Sequence, residues 1–212
     1  MSTNSAHRPA ASDHQHDAVP LETAFDFLNT LELDDGALVE RLTSLDTAAK
    51  WLADAGVVAD ATTVTRLGRS AAARQATLDR LVTTRTALRD VAHAVAHGER
   101  PARRDIDEVN RALSARETVQ LVAADDGVRL GHSHVGDVVD EVLARIAEPV
   151  VREIGFGRED RFRICANDTC RWIFFDESRP GNRRWCDMAT CGNRAKARRH
   201  RARQKGPEAA AS

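Results

Sequence analysis

All four cysteines of this 212-residue chain fall in one stretch, CANDTCRWIFFDESRPGNRRWCDMATC, at positions 165–191. Their spacing is C-x4-C-x15-C-x4-C, with Cys165 and Cys170 as one close pair and Cys186 and Cys191 as the other. Two close pairs separated in this way suit a tetrahedral thiolate site: each tight turn supplies two sulfurs, and the segment between folds back to join them. Disulfides are the structural rival. The opening residues, MSTNSAHRPAASDHQHD, have no apolar h-region, and no apolar run approaches the ~20 residues of a membrane span. The expected compartment is therefore the cytoplasm, where thiols stay reduced. Redox catalysis favours C-x-x-C, which neither pair forms. Four thiolates leave no open coordination position, so the expected cofactor is one structural Zn2+.

The residues around the cysteines fit a small metal-dependent fold. RFRIC and RWIFFDES read as two short strands around the first pair, and CDMATC leads into a final helix with Asn193 as its cap. Trp172, Phe174, Phe175 and Trp185 supply a small core. So little apolar surface leaves much of the folding energy to metal–thiolate bonds. A knuckle, a hairpin and a ligand-bearing helix make a treble-clef-like module.

The net charge of −1 conceals a division. From position 161 onward there are 13 Lys and Arg against 5 Asp and Glu, a net of +8, so the preceding residues sum to −9. An acidic body with a basic end points to an anionic partner, often nucleic acid, or to docking of the basic end on the body itself. Arg194, Lys196, Arg198, Arg199, Arg201, Arg203 and Lys205 crowd one run, interleaved with alanines. As a helix, its like charges at i,i+4 oppose each other by a few tenths of a kcal/mol per pair, roughly, so an anion stabilises it. Arginine forks match phosphate oxygens, and counterion release makes such binding salt-dependent. Arg183 and Arg184 extend the surface, and Asn193 with one or two arginines has the chemistry to read base edges. The other readings are a solvated tail fraying beyond Arg199, RNA binding, and a protein-interaction module.

The rest of the chain reads as helices. Leu21, Phe25, Leu28 and Leu31 have helical spacing. Ser44 caps a helix with Leu45, Ala48, Ala49 and Leu52 inward, ended by Gly56. From 61 to 97 the pattern stays helical, with Leu67, Ala71, Leu78, Leu81, Leu88, Val91 and Val95 as its ridge. Another helix turns Ile106, Val109 and Leu113 inward, and a last one, over 136–155, is kinked or divided at Pro149. Between these two, Asp125-Asp126-Gly127 amid β-branched residues marks a hairpin, with His132 and His134 in a surface loop at its exit. His7, His14 and His16 lie in a solvated tail.

The expected fold class is mainly α. Disordered tails occupy 1–18 and 206–212, a helical domain with one β-hairpin spans 19–160, and the zinc module spans 161–205. Asp26, Asn29 and Thr30 interrupt an apolar helix; they either tie it to Arg41 and nearby backbone or line a ligand pocket with Arg41. No nucleophile–base pair, phosphate loop or open metal site is visible, so an enzyme is not expected.

The stretch from Cys165 to the arginines, with the tetrad Cys191-Gly192-Asn193-Arg194, resembles the CGNR zinc-finger family. DFLNT at 26–30, followed by RLTSLDTAAKWL, looks like the ABATE domain that precedes that finger. The resemblance implies a bacterial transcription regulator of the stress response, with the finger bound to DNA. The expected function is thus zinc-dependent nucleic-acid binding, with duplex DNA the partner. The helical body would sense a small-molecule effector, contact a partner or form a homodimer, and its acidity would modulate access to the finger. RNA binding or a protein-interaction role is the alternative.

Overall fold

The computed structural model describes residues 19–34, 37–114, 118–124, 127–133 and 136–204, and among these the chain is mainly helical. Helix α1, Leu21–Leu28, buries Ala24, Phe25, Phe27 and Leu28. It stops before Leu31, which opens strand β1 (Leu31–Asp34) paired antiparallel with β2 (Ala37–Glu40). The helical domain therefore holds two hairpins where one was expected. The register pairs Asp34 with Ala37 across Asp35-Gly36, a dipeptide that favours tight hairpin turns.

Helix α2, Leu45–Asp54, has the expected Ser44 cap, made reciprocal by Thr47, and buries Leu45, Ala48, Ala49 and Leu52. Gly56 follows at φ 70°, a left-handed conformation suited to glycine. The helical pattern over 61–97 is in fact two helices, α3 (Thr62–Thr65) and α4 (Ala71–Ala96). Between them, Gly68 lies so close to Arg74 that a Cβ would sit 2.3 Å from its Cγ, and Ser70 caps α4 through the Ala73 amide. Ala71 is exposed rather than part of the ridge, because the buried face begins only at Thr77 and Leu78.

Helix α5, Arg103–Leu113, buries Val109 and Ala112. Ile106 is 38% exposed, contrary to its expected inward position, because it walls an open apolar cleft of about 590 Å3 with Val109, Val151 and Ile154. Strands β3 (Thr118–Ala124) and β4 (Gly127–Ser133) form the expected hairpin. His132 pairs with Val119 inside it rather than lying in a loop; His134 and the histidines of the N-terminal tail lie outside the described residues. Helix α6, Val138–Gly155, starts at a capping box of Asp137 and Asp140 and is not divided at Pro149. Burial of Val142, Ile146, Ala147 and Val150 on both sides of the proline offsets the lost hydrogen bond.

After a 3-10 turn at Glu159–Arg161, strands β5 (Phe162–Ile164) and β6 (Ile173–Phe175) pair antiparallel, as the sequence predicts. Their inner residues Phe162, Ile173 and Phe175 belong to the core of the helical body, packed on α1 and α4. Phe162 meets Phe25 at 5.6 Å and, edge-on, Phe175 at 5.5 Å between ring centroids. A π-turn, Met188–Gly192, leads into α7, Asn193–Gln204. Among the described residues no helix is long and apolar enough to cross a membrane.

Candidate metal centre and basic helix

The turn between β5 and β6 carries Cys165 and Cys170, and the π-turn before α7 brings Cys186 and Cys191 against them. The four sulfurs lie within 4.8 Å of one another, with Cys170–Cys186 at 3.7 Å and Cys186–Cys191 at 3.8 Å. A tetrahedral ion with Zn–S bonds of about 2.3 Å requires sulfur–sulfur edges of about 3.8 Å, so the donor set fits zinc and is too wide for a disulfide. Without a cation the sulfurs obstruct each other's ionisation. Hydrogen bonds from Cys170 and Cys186 hold the Cys165 thiol down to about 2, and the bond to Cys165 pushes Cys170 up to about 12 and Cys186 higher still. A dication removes that conflict by stabilising all four thiolates together.

The site is held by residues that the cysteine spacing did not single out. Asn167, 1% exposed, accepts the amides of Cys170 and Arg171 on its carbonyl, points its side-chain amide at Cys191 Sγ (3.5 Å), and accepts Arg198 Nη2 at 2.9 Å. One residue, through its backbone carbonyl and its side-chain amide, thus joins the knuckle, a metal ligand and α7, as outer-shell partners of metal ligands do. Asp176, fully buried, accepts the amides of Ser178 (3.0 Å) and Arg183 (2.7 Å) and so shapes the loop to the second cysteine pair. Burial would raise its carboxyl, but the hydrogen bonds from Ser178 and Arg183 outweigh it and leave it below the usual range. Gly192 is buried where a Cβ would meet Met188 Sδ at 2.8 Å. Asn193 is the first residue of α7 rather than the residue that caps it; its side-chain amide donates to the Ala189 carbonyl (3.0 Å), and Asp187 caps the preceding turn through Thr190.

The basic residues divide into two groups. Arg183 faces the module, donating to the Cys186 carbonyl (2.6 Å) and lying 5.1 Å from the centroid of the Phe174 ring, and Arg184 stacks over Trp185. Arg194, Lys196, Arg198, Arg199, Arg201 and Arg203 are exposed on α7, while Ala195 is buried. By helical spacing Arg194, Arg198 and Arg201 fall on one flank and Lys196, Arg199 and Arg203 on the other. Lys205 lies outside the described residues.

The residues of DFLNT do not converge on a common space. Asp26 is exposed, whereas Asn29 and Thr30 are buried. The Asn29 amide donates to the Ile173 carbonyl at 2.8 Å and accepts the Ile173 amide at 3.0 Å, pairing with β6 as a neighbouring strand would. Thr30 accepts Arg85 Nη1 at 3.2 Å, and Arg85, only 1% exposed, also pairs with Glu40. Arg41 pairs with Glu32 at 2.5 Å, and Glu32 accepts the indole N–H of Trp172 at 3.1 Å. Asn29 and Glu32 thus fasten the zinc module to the helical body, and Thr30, Arg85 and Arg41 brace them from within the body.

A mainly helical body joined through a shared core to a four-thiolate module defines a zinc-finger protein. Residues 161–204 match the CGNR zinc finger, and residues 21–154 match the ABATE family, described as "Putative stress-induced transcription regulator". The second match spans well over half of the chain, which belongs to the ABATE family and carries a CGNR zinc finger whose four cysteines are placed to hold one zinc ion. Both families are of regulator or zinc-finger type rather than enzymes. No curated protein matches the chain significantly.

Proposed function

We propose that this protein is a DNA-binding transcription regulator of the bacterial cytoplasm, active in the stress response, in which zinc holds a treble-clef-type module that presents α7 to duplex DNA. The observation that carries this reading is α7 itself: six exposed cations, no acid between Asn193 and Gln204, and no ion pair between the six and a described residue. Arg194, Lys196, Arg199, Arg201 and Arg203 are the phosphate contacts, Arg198 is oriented by Asn167, and Arg183 and Arg184 brace the loop behind them. Asn193, at the start of α7, is the candidate for a base contact. The organisation is a helical body over 19–160 and a reader over 161–205. The body would sense an effector or dimerise, and the charge of −9 over residues 1–160 would temper the approach of DNA.

The test is binding of zinc-loaded protein to random duplex DNA across a salt series, beside a Cys165→Ser/Cys191→Ser variant. Affinity should fall steeply with salt, in proportion to about five phosphate contacts, and vanish in the variant. Zinc-loaded protein that ignores DNA at low salt would instead mark the module as structural or protein-binding. Excising the body would not test its influence, since Phe162 and Phe175 would lose their core. Asn29→Ala and Glu32→Gln test it with the chain intact.

A further inference from the structure

Arg85, Arg89 and His93 recur one turn apart along α4, the helix that packs on β5 and β6, and His97 at its C-cap continues the row. Arg85 is paired with Glu40 and Thr30. The next turns are different. Half-buried Arg89 makes no ion pair or hydrogen bond with a described residue, and its Nε is closed off from solvent. His93 Nε2 is also sealed without a partner, while the ring stacks on His97 at 6.3 Å. Arg171 stands directly after the zinc ligand Cys170, at φ 55°, a left-handed conformation uncommon outside glycine. Burial, then the charges of Arg89, His97 and Arg171, hold the His93 ring down to about 4, and no carboxylate is among the groups that act on it. The acid that acts on Arg89 is its chain neighbour Asp90, itself pushed up by burial and by Asp105.

Buried donors left unpaired are rare in native folds, and where they cluster they point to a bound ion or water. Here Arg89 and His93 of α4 are joined by Arg171 beside the knuckle, and the acid that acts on Arg89 is Asp90. We propose that Arg89, His93 and Arg171 form an anion site at the seam between α4 and the zinc knuckle, and that its ligand is a phosphate group. Two guanidinium forks and an imidazole suit an oxyanion with several acceptors better than they suit a halide. The phosphate belongs either to the backbone of the bound nucleic acid or to a free phosphorylated compound. The site stands independently of α7, so failure of the DNA reading does not remove it.

Zinc-loaded full-length protein is titrated with inorganic phosphate against chloride at constant ionic strength, following the melting temperature, alongside Arg89→Met and His93→Gln. Methionine keeps the packing of the arginine stem without its charge. The expected result is a saturable rise in Tm for the unmodified protein, at least tenfold weaker in Arg89→Met, with unliganded Arg89→Met no less stable than the parent. The salt slope on duplex DNA then separates the sources. A slope reduced by about one in Arg89→Met assigns the phosphate to the nucleic-acid backbone. An unchanged slope with lost phosphate binding assigns it to a free compound. A Tm rise equal in parent and variant, no rise together with an unchanged slope, or a destabilised Arg89→Met would each overturn the proposal.

Discussion

The helical body and the zinc module keep their shape by different means. In the body Phe27, Leu28, Leu81, Leu88, Leu143 and Ile146 are each 1% exposed or less, and the packed faces of α1, α2, α4 and α6 supply the burial. The module's own cluster is Cys165, Phe174 and Cys191, with Cys170, Cys186, Trp172 and Trp185 partly buried around it. That is too little apolar surface to offset the entropy of ordering the segment. The module makes up the difference with a metal and by inserting Phe162, Ile173 and Phe175 into the core of the body. The contrast shows that the basic helix is positioned from two sides: by thiolates and Asn167 at its base, and by the seam to α1 and α4 behind the hairpin.

The largest effect expected from this contrast is loss of the metal. Chelation, or Cys165→Ser, should remove metal-coupled folding energy on the order of 10 kcal/mol from the module. Fluorescence of Trp172 and Trp185 would report it, while the far-ultraviolet helical signal of α2, α4 and α6 persists. Collapse of that signal together with the zinc would break the comparison, since body and module would then be one cooperative unit. Phe162→Ala should come next, at about 3–5 kcal/mol, because it opens a cavity where three aromatic rings meet. A loss as small as a surface substitution, measured by denaturant unfolding with zinc present, would mean that the seam carries little of the load.

Smaller effects sharpen the boundary. Asn29→Ala should cost about 2–3 kcal/mol, because the Ile173 amide and carbonyl both lose their partner. Faster hydrogen exchange at Ile173 would report that loss, whereas Ser44→Ala, a cap inside the body worth about 1 kcal/mol, should leave Ile173 unaffected. The seam should also respond to acid. His93 titrates near 4 when folded against an ordinary 6.5, so the unfolded chain binds the extra proton in that window. Its contribution is complete above pH 6.5 and is lost as pH falls toward 4, by roughly 2 kcal/mol after allowing for solvent screening of a half-buried ring. Zinc thiolates also take up protons there, so the quantity to measure is the difference in pH dependence between the parent and His93→Gln. Equal slopes would show that the ring is already solvated.

Much of the candidate site was legible because its signals are local. Cysteine spacing, the arginine run and the Ser44 cap are each contained within a few turns of chain. Errors arose where one local pattern competed with another. Leu31 continued a helical period, yet it opens a strand paired with Ala37–Glu40; Leu67 and Ala71 read as one ridge, yet Gly68 and Ser70 broke it. Asn167 and Asp176 gave no sequence signal apart from being short polar residues near the cysteines, because their value lies in partners set by the fold: Cys191 and Arg198 for Asn167, the amides of Ser178 and Arg183 for Asp176.

By itself the sequence determined which atoms bind zinc and where the positive charge gathers, since ligand chemistry and formal charge belong to residue types and survive any arrangement of the rest. Only the tertiary structure decided what the polar residues of DFLNT are for. Asn29 meets Ile173 across 144 positions of chain, and Glu32 meets Trp172 across 140. A buried amide must be satisfied, but periodicity and composition do not name its partner; that is settled when the hairpin of the module packs into the core of the body and brings the two backbones within hydrogen-bond reach.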